Sequence, residues 1–299
     1  MKIIGELEEY VGCNLLKEGE KAWLHQPDLL KKMEKNFGEE VAGLQSYKTP
    51  MPGGEMILRP LQDEELISNE MQKNFRLGVG MLLYLVKLTR PDICNPVREL
   101  SKVMDGANLS HYKMLLRVIK YVIDSKHKCL RFTPNELKDG IWELKVFCDS
   151  DYAGDKNTRI SVSGYIIYLC RVAISWKSKG QRSVTLSSTA AEYVAISEVV
   201  REVLYVKQIL EFMEVKIGFP IVVNVDNIGA IYLATNNSSS QRTKHVDVRY
   251  HFVREYIEDG IVKVQFVKSE DNDSDICTKN LNGELLDKHA EKFMEYKLE

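Results

Sequence analysis

The sequence predicts an α/β fold: a mixed sheet with flanking helices, preceded by a mostly helical segment. Three observations lead there. Up to about residue 135, apolar residues recur three and four apart, the spacing of helices. A polar stretch with Pro134 and Gly140 then marks a domain boundary. Beyond it, short alternating runs precede one long amphipathic helix, after which strands and helices alternate.

In the first part, Pro27 to Phe37 reads as a helix with proline at its first position. From Tyr47 to about Leu66, Pro50, Pro52, Gly53, Gly54 and Pro60 break the chain into a loop. A helix from about Glu70 to Leu88 stops at Thr-Arg-Pro91, because the residue before proline disfavours helix. Pro96 to Met104 is another. Ser110 to Lys126 is a fourth, opened by a serine cap. His111 and His127 fall at helix ends and read as solvated or capping.

In the second part, Leu144 to Asp149 alternates as a strand. Ser161 to Cys170, Ala173 to Ser178 and Ser183 to Ser188 extend it into an antiparallel meander. Thr185 to Met213 carries the long helix. Its stripe is Ile196, Val199, Val203, Ile209 or Leu210, and Met213. Ile221 to Asp226, β-branched and nearly all apolar, reads as a strand buried on both faces. Helices are expected over Asn227 to Thr235 and over Arg242 to Gly260, the latter closed by glycine. Ile261 to Val267 is a strand, and a last helix starts at about Asp275.

The chain of 299 residues has room for two domains, and 44% hydrophobic with 28% charged residues is a globular composition. A formal charge of −2 excludes a protein that is basic throughout, so any nucleic-acid contact needs a local patch. The six cysteines form no C-x-x-C pair, which argues against zinc knuckles and disulfides and fits a reducing, intracellular compartment. No apolar run is long enough for a bilayer, and the first residues lack a signal-peptide core, so no membrane partner is expected.

Four acids stand out. Asp149 and Asp226 end strands, and the carboxyl ends of strands are where α/β sheets hold ligands. Glu192 lies one turn before Ile196 on the inward stripe, where an unpaired charge is costly. Asp275 opens the last helix. Plainer readings exist for each. Asp149 and Asp151 begin a turn, Asp226 with Asn227 forms an N-cap, and Asp275 forms another. Thr189-Ala-Ala-Glu192 fits a capping box. If the four converge, they repel one another unless divalent cations lie between them. Oxygen-only ligands suit Mg²⁺ or Mn²⁺, and paired ions suit phosphodiester cleavage.

The stretches FCDSDYAGD, TRISVSGYIIYL, ISWKSKGQRSVTLSSTAAEYVAIS, VDNIGAI, RTKHVDVRYHFVREYI and SDICTKNL, in that order, resemble the ribonuclease H domain of copia-type retrotransposon Pol polyproteins. Earlier stretches, among them GMLLYLVKLTRPDI and RELSKVMDGANLSHYKMLLRVIKYV, are similar to the end of the same family's reverse transcriptase. The resemblance implies three regions: a helical thumb or connection remnant over 1–135, a ribonuclease H-like domain over 141–283 with a mixed five-stranded sheet, and a helical tail over 284–299. It implies that Asp149, Glu192, Asp226 and Asp275 are the catalytic acids, that they bind two Mg²⁺ (or Mn²⁺), and that the substrate is the RNA strand of an RNA–DNA hybrid. Other parts of a Pol polyprotein are the expected partners.

The chain departs from the family's pattern in places. Ala190 replaces the first Glu of S-S-T-E-A-E-Y, Ser274 replaces the Ala of A-D-I, and the loop from Lys268 to Ser274 has no histidine. In some ribonucleases H a loop histidine assists product release; His245 and His251 are the nearest candidates for that role here. No Asp-Asp dipeptide occurs, so the polymerase turn Y-x-D-D is absent and no polymerase activity is expected. That absence favours a second reading, a decayed and catalytically silent fragment that at most binds nucleic acid; the four retained acids favour an enzyme. A recombinase of integrase type orders its acids Asp, Asp, Glu, whereas Glu comes second here. For substrate grip, Lys177, Lys179 and Arg182 follow Trp176, and Arg242, Lys244, Arg249 and Arg254 lie on or beside a helix. Each is a phosphate contact or part of a solvated charged face. Trp176 reads as core in preference to a stacking surface.

Overall fold

The computed structural model describes residues 8–61, 63–134, 137–236 and 252–297. It divides into two compact units, Met1–Thr133 with Lys279–Glu299, and Pro134–Thr278.

The first unit contains the expected helices: α1 (Pro27–Val41), α2 (Asn69–Leu88), α3 (Cys94–Ser101) and α4 (Leu109–Asp124). Pro27 opens α1, and the Ser68 side chain caps α2. The cap of α4 is Asn108 and not Ser110. Asn108 accepts from the His111 backbone N–H while His111 Nδ1 accepts from the Asn108 N–H, so His111 is a capping residue. The unit also holds a five-stranded antiparallel sheet that the sequence reading did not place: β1 (Glu9–Tyr10), β2 (Cys13–Glu18), β3 (Lys21–His25), β4 (Lys128–Arg131) and β10 (Met294–Tyr296). β10 pairs with β4, and α9 (Gly283–Ala290) precedes it, so residues 284–299 include a strand of this unit as well as a helix. Within the unit the buried Arg90 guanidinium makes two 2.8 Å bonds to Asp92, and the Ser125 hydroxyl and carbonyl accept two more of its donors.

The second unit is a mixed five-stranded sheet of order β7-β6-β5-β8-β9. β5 (Leu144–Asp151), β6 (Val162–Leu169) and β7 (Val172–Gly180) form the antiparallel meander. β8 (Ile221–Val225) joins β5 in parallel, and β9 (Val262–Phe266) joins β8 in parallel. This is the ribonuclease H-like architecture that the resemblance implies. Ser183 to Ser188 is not a fourth meander strand. Leu186 is 93% exposed, so the segment has no apolar face to bury, and Ser187 instead caps the next helix.

That helix is α5 (Ser188–Phe212), which packs Ile196, Val199 and Val203 onto Val146, Cys148, Val223 and Val225. Leu210 continues the buried stripe; Ile209 and Met213 are exposed. α6 (Ile228–Thr235) follows, then α7 over described residues 252–258, and α8 (Asp275–Thr278). α8 lies so close to β6 that a Cβ on Gly164 would stand 2.6 Å from Thr278 Cγ2 and 2.8 Å from Cys277 Cβ.

All six cysteines are free and buried. No helix among the described residues is long and apolar enough to cross a membrane.

A Gly164→Ala substitution is expected to cost about 1–3 kcal/mol, because α8 must move off the sheet or accept overpacking. Urea denaturation monitored by circular dichroism checks this; an unchanged midpoint contradicts the close approach.

Candidate active site

Three of the four acids meet. Each of Asp149, Glu192 and Asp226 contributes a carboxylate oxygen, and these oxygens lie within 4.8 Å of one another. Asp149 is inside β5 and Asp226 directly follows β8, so the β5–β8 parallel pairing brings their backbones to one end of the sheet. Glu192 comes to them from α5. It does not close a capping box, since the Ser187 side chain accepts from the Ala190 N–H and already caps the helix. Nor is Asp226 a cap: the Asn227 side chain accepts from the Ala230 N–H and leaves its neighbour available.

Hydroxyl groups hold each carboxylate. Glu192 Oε1 accepts from the Ser150 N–H at 3.1 Å and the Ser150 hydroxyl at 3.0 Å. Asp149 Oδ2 accepts from the Thr278 hydroxyl. Asp226 Oδ2 accepts from the Ser269 hydroxyl at 2.6 Å. Sequence reasoning missed all three donors. Ser150 and Thr278 lay inside stretches that had been singled out, but nothing in a sequence says which hydroxyl faces which acid.

Asp275 does not join the group. α8 presents Thr278 to Asp149, while its first residue donates its backbone N–H to the Asn272 carbonyl.

Burial is uneven. Asp149 is 1% exposed, Glu192 5%, and Asp226 half-buried. Desolvation raises the Glu192 carboxyl, and the negative charges of Asp149 and Asp226 raise it further, against the two Ser150 hydrogen bonds; the result is a pKa of about 9. The second oxygen, Glu192 Oε2, is buried and accepts no hydrogen bond among the described residues. A buried carboxylate with one unsatisfied oxygen, beside two other carboxylates, is the position a cation or a proton takes. The donor set is oxygen only, which fits a hard divalent ion such as Mg²⁺ or Mn²⁺.

Of the candidate cations, Lys177 and Lys179 are exposed on β7, at register positions opposite Tyr165 and Ser163, and Arg182 is exposed just beyond. Trp176, just before them on β7, is half-buried. Arg254 is committed elsewhere, its guanidinium donating to the Leu233 carbonyl near the end of α6. Arg242, Lys244, Arg249, His245 and His251 lie outside the described residues.

A mixed sheet of this strand order, with acids in its first strand, just after its fourth and on the long helix between the third and fourth, defines a ribonuclease H-like domain. No family model matches the chain. Among known proteins, the Pol polyprotein of transposon TNT 1-94 from Nicotiana tabacum is 32% identical over 287 residues, 93% of this chain and 21% of that protein. The Pol polyprotein of transposon RE1 from Arabidopsis thaliana is 36% identical over 73% of this chain and 14% of its own length. An uncharacterised mitochondrial protein from Arabidopsis thaliana is 30% identical over 66% of this chain and 77% of its own length. A solved N-terminal RNase H domain from Mycobacterium tuberculosis, fused to maltose binding protein, is 11% identical with a TM-score of 0.34, covering 50% of this chain and 96% of that one. The chain belongs to the family of copia-type, retrovirus-related Pol polyproteins. It spans about a fifth or less of the two named polyproteins.

The raised Glu192 fixes the sign of a pH dependence. Its folded pKa of about 9 exceeds the model-compound value of 4.5, so the folded state holds the extra proton between them. Without divalent ions, stability is therefore expected to fall as pH rises from about 4.5 to about 9. Glu192→Gln is expected to flatten that slope, and melting temperatures across the range check it.

Proposed function

We propose that this chain is the ribonuclease H of a copia-type Pol polyprotein, a metal-dependent endonuclease that hydrolyses the RNA strand of RNA–DNA hybrids. The observation that carries the reading is the convergence of Asp149, Glu192 and Asp226, with one oxygen of the buried Glu192 left unsatisfied. Asp149, Glu192 and Asp226 would hold the metal; Asp275 keeps no assigned role. When bound, a pair of Mg²⁺ or Mn²⁺ ions supplies activation of the attacking water and neutralisation of the leaving oxygen.

The residues of the chain do the rest. Ser150 holds one oxygen of Glu192 through two hydrogen bonds and leaves the other without a hydrogen-bond partner among the described residues. Thr278 fixes Asp149 from α8. Lys177, Lys179 and Arg182 give an otherwise acidic protein exposed cations on one strand and the loop after it, suited to phosphates of a duplex held by its backbone. Telling RNA from DNA requires contacts to the 2′-hydroxyl.

The test is incubation of the protein with a labelled hybrid and Mg²⁺. Cleavage of the RNA strand is expected, leaving 3′-hydroxyl and 5′-phosphate ends. Asp149→Asn is expected to lower the rate by about a hundredfold or more. A wild-type protein that binds hybrid without cutting it establishes the silent-fragment reading instead.

Hybrid affinity is expected to fall steeply with salt. Lys177→Ala and Lys179→Ala are each expected to reduce the slope of log K against log salt by about 1. Filter-binding or anisotropy titrations at several salt concentrations check this, and a flat response removes the phosphate-contact role.

A further inference from the structure

The three carboxylates are not equally secured. Asp149 sits within a strand and Glu192 within a helix, both nearly fully buried. Asp226 lies past the end of β8, in the short junction before α6, and is half-buried. Its neighbour Asn227 is occupied in capping α6. Asp226 thus has the least local structure to fix its side chain.

The segment after β9 supplies what is missing. The Val267 N–H donates to the carbonyl of Val225, the residue immediately before Asp226, at 2.9 Å. The Asn272 side chain, fully buried, donates to the carbonyl of Cys148, the residue immediately before Asp149, at 3.1 Å. A single 3-10 turn, Ser269–Asp271, joins these two tethers. It is closed by the Asp271 N–H on the Lys268 carbonyl and the Asn272 N–H on the Ser269 carbonyl. The turn is therefore tethered to the residue before each site aspartate, within β5 and at the end of β8, and Ser269 donates its hydroxyl to Asp226 Oδ2.

We propose that Ser269 is a positioning residue: its hydroxyl, carried on a turn tethered to β5 and β8, fixes the rotamer of Asp226 so that its carboxylate faces Asp149 and Glu192. The role rests on the metal-dependent reading above. Groups that orient ligands from outside set metal affinity, and their loss costs on the order of tenfold or more. The hydroxyl acts through Asp226, so its effect falls on ion binding.

The experiment titrates Mg²⁺ against the full chain, following the melting temperature in one series and hybrid cleavage in another. Ser269→Ala is expected to raise the half-saturating Mg²⁺ concentration on the order of tenfold in both series, with kcat at saturating Mg²⁺ close to wild type. Ser269→Thr, which keeps the hydroxyl, is expected to restore the wild-type midpoint. A Ser269→Ala midpoint equal to wild type, while Asp226→Asn abolishes the Mg²⁺ response, overturns the role of Ser269 alone. If Asp226→Asn also leaves the Mg²⁺ response intact, the metal-site reading falls and the role of Ser269 with it. A loss in Ser269→Ala that Ser269→Thr does not restore overturns the hydroxyl argument as well.

Discussion

The second unit is organised against an unfavourable interaction. Three carboxylates, two of them nearly fully buried, are held within 4.8 Å of one another. At about 4 Å and an effective dielectric near 20, two such charges repel by roughly 4 kcal/mol. Folding alone gives nothing back for that repulsion. The pocket must therefore take up positive charge, either as a proton on Glu192 or as a cation. The apolar cluster of β5, β8 and α5 supplies the rigidity that keeps the acids from relaxing apart.

That rigidity depends on close approaches as much as on burial. Gly164, opposite Asp149 in register, lets α8 lie against β6 and brings the Thr278 hydroxyl to Asp149. Gly229 does the same for α6: a Cβ there would stand 3.0 Å from Thr189 Oγ1, on the first turn of α5. Helix α6 can thus start directly after Asp226 and close beside the turn that precedes Glu192. Each acid is placed by a different element, and small residues let those elements crowd together.

Much of this was legible in the sequence and some was not. The α5 stripe and the run over Ile221 to Asp226 were visible as periodicity, and the resemblance placed Asp149, Glu192 and Asp226 before any coordinates did. The Ser183 to Ser188 segment misled because alternation of polar and apolar residues also occurs in loops; only the exposure of Leu186 shows that nothing covers it. The antiparallel sheet of the first unit was missed because its strands are short and two of its pairings, β3 with β4 and β10 with β4, join segments far apart in sequence. Arg90 illustrates the same limit. The sequence showed only a helix stop at Thr-Arg-Pro91, whereas the buried guanidinium depends on Ser125, 35 positions away. Asp275 and Thr278 sit three positions apart on α8, and no periodicity argument decides which of them faces Asp149.

Why Glu192 holds a proton follows from the same geometry. Burial is its largest perturbation, and the two aspartates add to it from one side. Ser150 satisfies one of its oxygens and nothing among the described residues satisfies the other. Asp226, half-buried and hydrogen-bonded to Ser269, keeps contact with solvent, and Asp149 has Thr278 as a donor. Under the metal-dependent reading, proton and divalent ion compete for the same oxygen, so ion binding must release a proton at neutral pH. Ion affinity then rises with pH over the interval in which the metal-free protein loses stability. The two trends have opposite signs because they are two consequences of one unsatisfied oxygen.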